Sequence, residues 1–539
     1  MGIMRCGPID GPILTYSMEP ERNAKSVFSR EKLPMPLPLR LQPTSPVSLQ
    51  TQIFEQVRAM ILEGRLRPGE RLPATRALSE QIGIARNTAA LAYERLTAEG
   101  YIETRSSVGT FVSFQIPESA LYTASQNGAP SARKPRRAVG SSLNPTFRCQ
   151  AVVNPHRGRL IADFWVGRPD PDSFPRKTWA QLIVKRLRTA GSDLTEYRAQ
   201  SGLFELRRAI ADRLRPTRNI ATNADEIIIV GGCQDGLNLV SRLMLGPGAT
   251  AVVEQPCYQG AAFLFESFGA NVVSVPVDDR GLDCSHLPNV RNAVAYVTPS
   301  HQYPLGVTLS LERRLELLAW AAETDSYILE DDYDSDFRFH GAPIAALKGL
   351  DRTGRVIYLG TFSKSLGAGL RLGYVVFPPE IVERARDMKT LMNNGQPWLE
   401  QATLADFMTS GGYERHVRRI RKLYLSRRNA LLTALEKHFP GGEIIGDEAG
   451  MHLAWRLPSS FPPAREIEQR AIEAGVGVYT LTSGAAVGFD TSPENDRYLV
   501  LGFSSLTERE IAAGIARLAE ALAPVTDRRR RPKRLVVEC

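Results

Sequence analysis

Residues 355–374 read RVIYLGTFSKSLGAGLRLGY. The apolar, β-branched run from Val356 to Leu359 suits a buried strand. Glycines at 360, 367, 369 and 373 then break the pattern into turns. Lys364 follows the strand end, among hydroxyls and glycines. A lysine there suits a Schiff-base site. Its amine attacks an aldehyde once burial or a nearby cationic charge has lowered its pKa. Thr361 and Ser363 can donate to a phosphate, and Arg371 can grip the same phosphate with its planar fork.

Working upstream, EDDYDSDF at 330–337 follows the strand SYILE. A carboxylate at a strand end can pair with a cofactor's ring nitrogen and keep it protonated, which makes the ring an electron sink. A doubled aspartate could equally hold a metal. Further upstream, GGCQDG at 231–236 follows the strand EIIIV and opens a helix at about Asp235. Strand, glycine turn and helix make a phosphate cradle, because the first helical N–H groups are unpaired and the helix dipole is positive there. Tyr258, in VEQPCYQG, offers an aromatic face to a flat ring. Each motif alone is commonplace: a glycine turn is usually only a turn, and a lone lysine is usually solvated.

The strands EIIIV, TAVVE, NAVAYVTP, SYILED and RVIYLGTF are separated by helical stretches. That alternation predicts an α/β domain with a mainly parallel sheet covered on both faces. In chain order the cradle, Tyr258, HQYPLG, EDDYD, Ser363-Lys364 and GLRLG resemble the fold-type I aminotransferases over about residues 160–523. The resemblance implies pyridoxal 5'-phosphate (PLP) as cofactor and a smaller C-terminal α/β subdomain. It implies that Lys364 forms the internal aldimine and that Asp331 pairs with the pyridine nitrogen, with Asp332 as the alternative. Tyr333 would bond the ring hydroxyl and Tyr258 would stack. Gly232, Cys233, Gln234, Thr361, Ser363 and Arg371 would hold the phosphate. Tyr303, in Tyr303-Pro304-Leu305-Gly306, stands where ordinary aminotransferases carry an asparagine.

The N-terminal block has a different grammar. Ile53, Val57, Met60 and Ile61 share one helical face. Helices are predicted at Ala74–Ile82 and Arg86–Glu99, with Gly83 in the turn between them and Gly100 as a stop. YIETR and GTFVS then alternate as a hairpin around SSVG. This is the winged helix-turn-helix plan, whose last helix enters the major groove with its N-terminal residues at base edges. Arg86 and Asn87 stand there, and arginine reads guanine as asparagine reads adenine. The alternative is that these arginines merely solvate a small helical domain. GRLRPGERLPATRALSEQIGIARNTAALAYERLTAEGYIETRSSVGTFV at 64–112 resembles the GntR-type DNA-binding domain. That resemblance implies DNA contacts at Arg76, Arg86, Asn87, Thr88, Ser107 and Gly109. Ala90 departs from it, since some members carry a further basic residue there.

The expected organisation is therefore a poorly ordered arm at 1–46, a winged helix-turn-helix at 47–115 and a linker at 116–157. An aminotransferase-like domain at 158–523 and a basic tail at 524–539, containing RRRRPKR, complete it. The 539 residues suit two or three domains, and the net charge of +9 is compatible with nucleic acid without requiring it. Six cysteines, none in a C-x-x-C pair and none spaced with histidines for zinc, fit a reducing cytoplasm and point to no metal. No apolar run approaches the roughly 20 residues that span a bilayer.

The two domains in this order resemble the MocR/GabR family, most closely in TPSHQYPLG, LEDDYDSDFR and LGTFSKSLGAGLRLGY. The resemblance implies a PLP-dependent transcription regulator, a homodimer, that binds an operator in double-stranded DNA and senses a small amine, an amino acid or PLP. The alternative is an active aminotransferase with an accessory DNA-binding domain. Family members that sense γ-aminobutyrate hold its carboxylate with two arginines, and here those positions are Gly260 and Ser505. Arg497 lies just before the last strand and is the nearest arginine to it.

Overall fold

The computed structural model describes residues 36–106, 108–114, 154, 156, 158–340, 344–489 and 492–523. The chain divides into two units, one through residue 143 and one from residue 144.

In the first unit α1 (Leu49–Leu62) starts at Ser48, whose side chain caps the Thr51 amide. It buries Ile53, Phe54, Val57, Met60 and Ile61 as the helical spacing requires. Strand β1 (Arg71–Leu72) comes next, followed by α2 (Thr75–Ile82) and α3 (Arg86–Ala98). Gly83 ends α2 at φ 67°, a left-handed turn that glycine adopts without the Cβ penalty. Strands β2 (Ile102–Arg105) and β3 (Gly109–Val112) form the wing. The expected hairpin is in fact a three-stranded sheet, because β1 pairs with β3 through Arg71–Phe111 and Leu72–Thr110. A two-residue strand carries too little periodicity to be read from sequence. Part of the stretch expected as a poorly ordered arm, from residue 37, packs into this unit. Leu37 is buried in this unit's core, its carbonyl accepts from Gln81 at 2.7 Å, and Gln56 bonds both the amide and the carbonyl of Arg40.

The second unit is built on eight strands. They are β4 (Ile227–Val230), β5 (Thr250–Gln255), β6 (Asn271–Asp278), β7 (Gly281–Leu282), β8 (Val294–Val297), β9 (Tyr327–Asp332), β10 (Val356–Thr361) and β11 (Gly373–Val376). Their order is β4-β11-β10-β9-β8-β5-β6-β7. The five inner strands from β10 to β6 are parallel, while β11 runs antiparallel to both its neighbours. Every residue of β4, β8 and β11 is buried, as a sheet covered on both faces demands.

A smaller antiparallel sheet follows, with strands β12 (Glu443–Ile445), β13 (His452–Arg456), β14 (Tyr479–Thr480) and β15 (Tyr498–Gly502) in the order β12-β13-β15-β14. The helices Gly412–His438 and Glu508–Leu522 pack with it around Trp455, Phe503 and Ile515. Asn154, expected in the linker, is buried and bonds Asp163 and Tyr479 of this unit.

Candidate functional site

The parallel strands β8, β9 and β10 all run toward one cavity of about 220 Å³. Ligands in open α/β sheets bind outside these carboxyl ends, because the chain turns there leave a crevice. The cavity gathers nearly every residue expected to hold the cofactor, drawn from segments more than a hundred residues apart.

Lys364 sits in a π-helical turn, Ser363–Gly367, immediately after β10. Its Nζ donates to the Gly167 carbonyl at 3.1 Å. Burial lowers its pKa, against the raising effect of Cys233, Asp334 and Asp331. A larger residue at Gly167 would collide with the amine, since a Cβ there would lie 2.5 Å from Nζ.

Alternation along β9 sends the two aspartates to opposite faces. Asp331 lines the cavity and accepts from the Tyr296 hydroxyl at 2.9 Å, with the Cys233 thiol at 3.5 Å. Asp332 turns the other way, to the Arg218 guanidinium at 2.7 Å and the Tyr358 hydroxyl. Burial pushes Asp331 up to about 6; hydrogen bonds from Tyr296 and Cys233 oppose that rise.

The glycine turn expected as a phosphate cradle leads into a helix N-terminus. The helix Cys233–Met244 begins two residues earlier than expected, with Gly232 as its cap at φ 89°. A Cβ at Gly232 would lie 3.3 Å from the Arg371 Nη1, so the missing side chain lets the guanidinium approach. The Arg371 side chain is exposed and makes no hydrogen bond or ion pair among the described residues. Thr361 donates to Ser363 at 3.0 Å beside it. Asp235, in the first helical turn, is matched by the buried Lys389 at 2.6 Å and by Gln396 at 2.9 Å.

The aromatic residues behave less simply. The Tyr258 hydroxyl reaches Gln234 Oε1 at 3.3 Å, and Gln234 Nε2 donates to the Gly260 carbonyl at 2.9 Å. Tyr303 lines the cavity, edge-on to Tyr258 and Tyr333. Tyr333 also lines it, but its hydroxyl donates to the His301 carbonyl at 2.9 Å.

Behind Tyr333, His301 places Nδ1 2.9 Å from Asp334 and Nε2 3.0 Å from the Gly446 carbonyl. Both neighbours are acceptors, an arrangement that favours the imidazolium. Burial opposes this charge, but the Asp334 carboxylate overcomes it and raises the pKa. His452 completes a buried trio whose spacing could hold a metal ion, yet both His301 nitrogens are already engaged.

Sequence reasoning missed Trp165, Gly167, Tyr296 and Tyr479 in the cavity. Tyr296 lies on an expected strand, and its pairing with a carboxylate could not be read without the order of the sheet. The turn GRPDP at 167–171 is a weak signal for Gly167. Arg497, the nearest arginine to the last strand, donates to the Phe461, Leu457 and Pro458 carbonyls. It does not line the cavity.

In the first unit Arg86 and Asn87 are exposed at the start of α3, with Thr88 half-buried beside them. Arg76 is exposed on α2 and pairs with Glu80 at 3.0 Å. Gly109 opens β3, where the side chain of Arg71, not anticipated from sequence, lies against it. Ser107 lies outside the described residues.

The chemistry of the cavity fits PLP. An unpartnered arginine, a glycine cap and a helix N-terminus suit its phosphate, a buried carboxylate suits its ring nitrogen, and a buried amine suits its aldehyde. Together with the winged helix, this defines a class: a helix-turn-helix protein joined to an aminotransferase fold.

Residues 49–112 match the family described as bacterial regulatory proteins, gntR family, and residues 166–500 match aminotransferase class I and II. The chain is 34% identical to the probable rhizopine catabolism regulatory protein MocR of Rhizobium meliloti, over 88% of this chain and 94% of that one. It is 35% identical to the HTH-type transcriptional regulator TauR of Rhodobacter capsulatus, over 89% and 98%. Among solved structures it is similar to Pyrococcus horikoshii kynurenine aminotransferase in complex with PMP. That likeness has a TM-score of 0.61 at 30% identity and covers 70% of this chain and 93% of that one. The chain belongs to the MocR-type regulators, in which a GntR-family domain precedes a class I and II aminotransferase domain.

Proposed function

We propose that this protein is a DNA-binding transcription regulator whose second unit holds PLP on Lys364 and senses a small amine, an amino acid or PLP itself. The observation that carries this reading is the convergence of Lys364, Asp331 and Arg371 on one cavity, in a chain that also presents Arg86 and Asn87 at the start of a recognition helix. When bound, the cofactor supplies an electrophilic carbon and an electron sink. Lys364 is the residue that anchors it, Asp331 holds its ring proton, and the glycine cap, Thr361, Ser363 and Arg371 orient its phosphate. Arg76, Arg86, Asn87, Thr88, Ser107 and Gly109 are the proposed DNA contacts.

A homodimer fits exposed apolar side chains on and near the helix Arg176–Thr189. Val184, Leu187 and Leu194 are all exposed there, and Tyr197 is 86% exposed. No helix among the described residues is long and apolar enough to cross a membrane, and a cytoplasmic location suits a DNA-binding protein.

Turnover as an aminotransferase is the second reading, and the buried amine of Lys364, with its lowered pKa, favours it. One experiment separates the two. The purified protein is followed by its absorbance spectrum and by ketoacid formation while amines and amino acids are titrated in, with operator binding measured in parallel. A sensor shows a saturable spectral change and altered DNA binding without product. Stoichiometric excess of ketoacid establishes the enzyme instead.

A further inference from the structure

We propose that the ligand sensed at this site is a primary amine bearing no carboxylate or sulfonate, with a largely apolar body. The inference rests on the reading of Lys364 as the cofactor's anchor and names the ligand class of that same site.

Among the described residues, the cavity presents two cations, Lys364 and Arg371. The cofactor engages both, one at its aldehyde and one at its phosphate. The neighbouring arginines have other partners. Arg168 pairs with Asp163 at 3.2 Å, and Arg427 pairs with Asp170 at 3.0 Å and donates to the Ser504 carbonyl. Among the described residues, no third cation lines the cavity to meet an anionic group on the ligand.

The wall itself disfavours an anion. The rings of Trp165 and Tyr479 meet at 4.8 Å and nearly at right angles, and Ala485 and Ala486 add apolar surface. The Tyr479 hydroxyl points into the protein, donating to Asp163 Oδ1 at 2.7 Å. The charge behind this wall is the Asp163 carboxylate, already paired with Arg168. A ligand carboxylate against this wall would lose its water without gaining a counter-ion from it. An apolar or aromatic body would bury its surface against two rings.

The opposite adaptation is blocked sterically at Gly260. A Cβ there would lie 2.4 Å from Tyr258 Cε1 and 2.6 Å from its hydroxyl oxygen. The Tyr258 ring fills that space, and Gln234 ties its hydroxyl to the Gly260 carbonyl. No side chain at 260 can reach a ligand while the ring stays in place.

The test uses the full-length protein loaded with PLP and two matched pairs, n-butylamine with γ-aminobutyrate and phenethylamine with phenylalanine. Dissociation constants come from the absorbance change and from calorimetry, and both are repeated on cofactor-free protein. Each amine is expected to bind at least tenfold more tightly than its acid, and neither to bind without cofactor. An acid that binds as tightly as its amine overturns the proposal, and so does failure of both amines to bind. Failure of the underlying reading is seen earlier and separately: borohydride reduction of the loaded protein would then leave the label on a residue other than Lys364.

Discussion

The smallest decisive unit in this protein is the side chain without a partner. Arg371 is exposed, held at φ 52°, and unpaired among the described residues. A charge-assisted fork to phosphate contributes about 1.5–3 kcal/mol. Arg371→Ala should therefore weaken PLP binding by that amount, roughly ten- to 150-fold; fluorescence titration with PLP checks it, and unchanged affinity would place the phosphate elsewhere. Glu254 is decisive for a different reason, its burial. Burial pushes its carboxyl up to about 7 from an ordinary 4.5, although Thr298 and Gln302 donate to it. The folded protein thus binds a proton more tightly than the unfolded chain, and this contribution to stability is lost as pH rises from about 4.5 through 7. The three donors all converge on Oε2, which a glutamine oxygen can replace. Glu254→Gln should match wild type near pH 4.5 and exceed it above pH 7, by at most about 3 kcal/mol at 1.36 kcal/mol per pKa unit. Urea unfolding of both proteins across that range measures the difference, and parallel pH curves would show that Glu254 ionises freely.

At the scale of elements, the recognition helix is the clearest case of local sequence acting directly on function. Ala85 is extended, Arg86 opens α3, and Arg86 and Asn87 face solvent while Ala89, Ala92 and Leu96 face the core. The helical period makes that division unavoidable. Arg86→Ala should cost about 1–3 kcal/mol of operator affinity and relax the preference at one base pair. Binding to an operator and to scrambled DNA at fixed salt distinguishes the roles. An equal loss on both would make Arg86 a phosphate contact. The wing shows the complementary limit. Its hairpin follows from YIETR and GTFVS, but β1 joins it only because the chain after Pro68-Gly69 returns to pair with Phe111.

For the whole molecule, the chain divides into two compact units, so communication between cofactor and operator needs a ligand that prefers one arrangement over another. Couplings of this kind are typically about 1–3 kcal/mol. Operator affinity should therefore change about five- to 150-fold between cofactor-free and PLP-loaded protein, or on addition of an amine. Lys364→Ala should abolish the amine response while leaving the fold intact. The measurement is operator binding and DNA bending for both proteins, with each ligand, at one salt concentration. If no ligand alters either quantity in wild type, the second unit is not a sensor and the aminotransferase reading gains.

The order of the two domains, the turn at Gly83, the strand before Lys364 and the glycine turn before the helix at Cys233 were all legible in the chain. Each is a local pattern whose meaning is carried by backbone geometry within some ten residues. Sheet order decided the rest. Asp331 rather than Asp332 faces the cavity because Tyr296 on β8 takes one and Arg218, 114 residues upstream, takes the other. The Gly167 carbonyl receives Lys364 from 197 residues away. Arg168, Arg427 and Arg497 find partners in Asp163, Asp170 and three backbone carbonyls, of which all but Asp163 lie far along the chain. A one-dimensional spacing cannot encode such pairings, since burial leaves each charge to find its partner in space, wherever the topology brings one within reach.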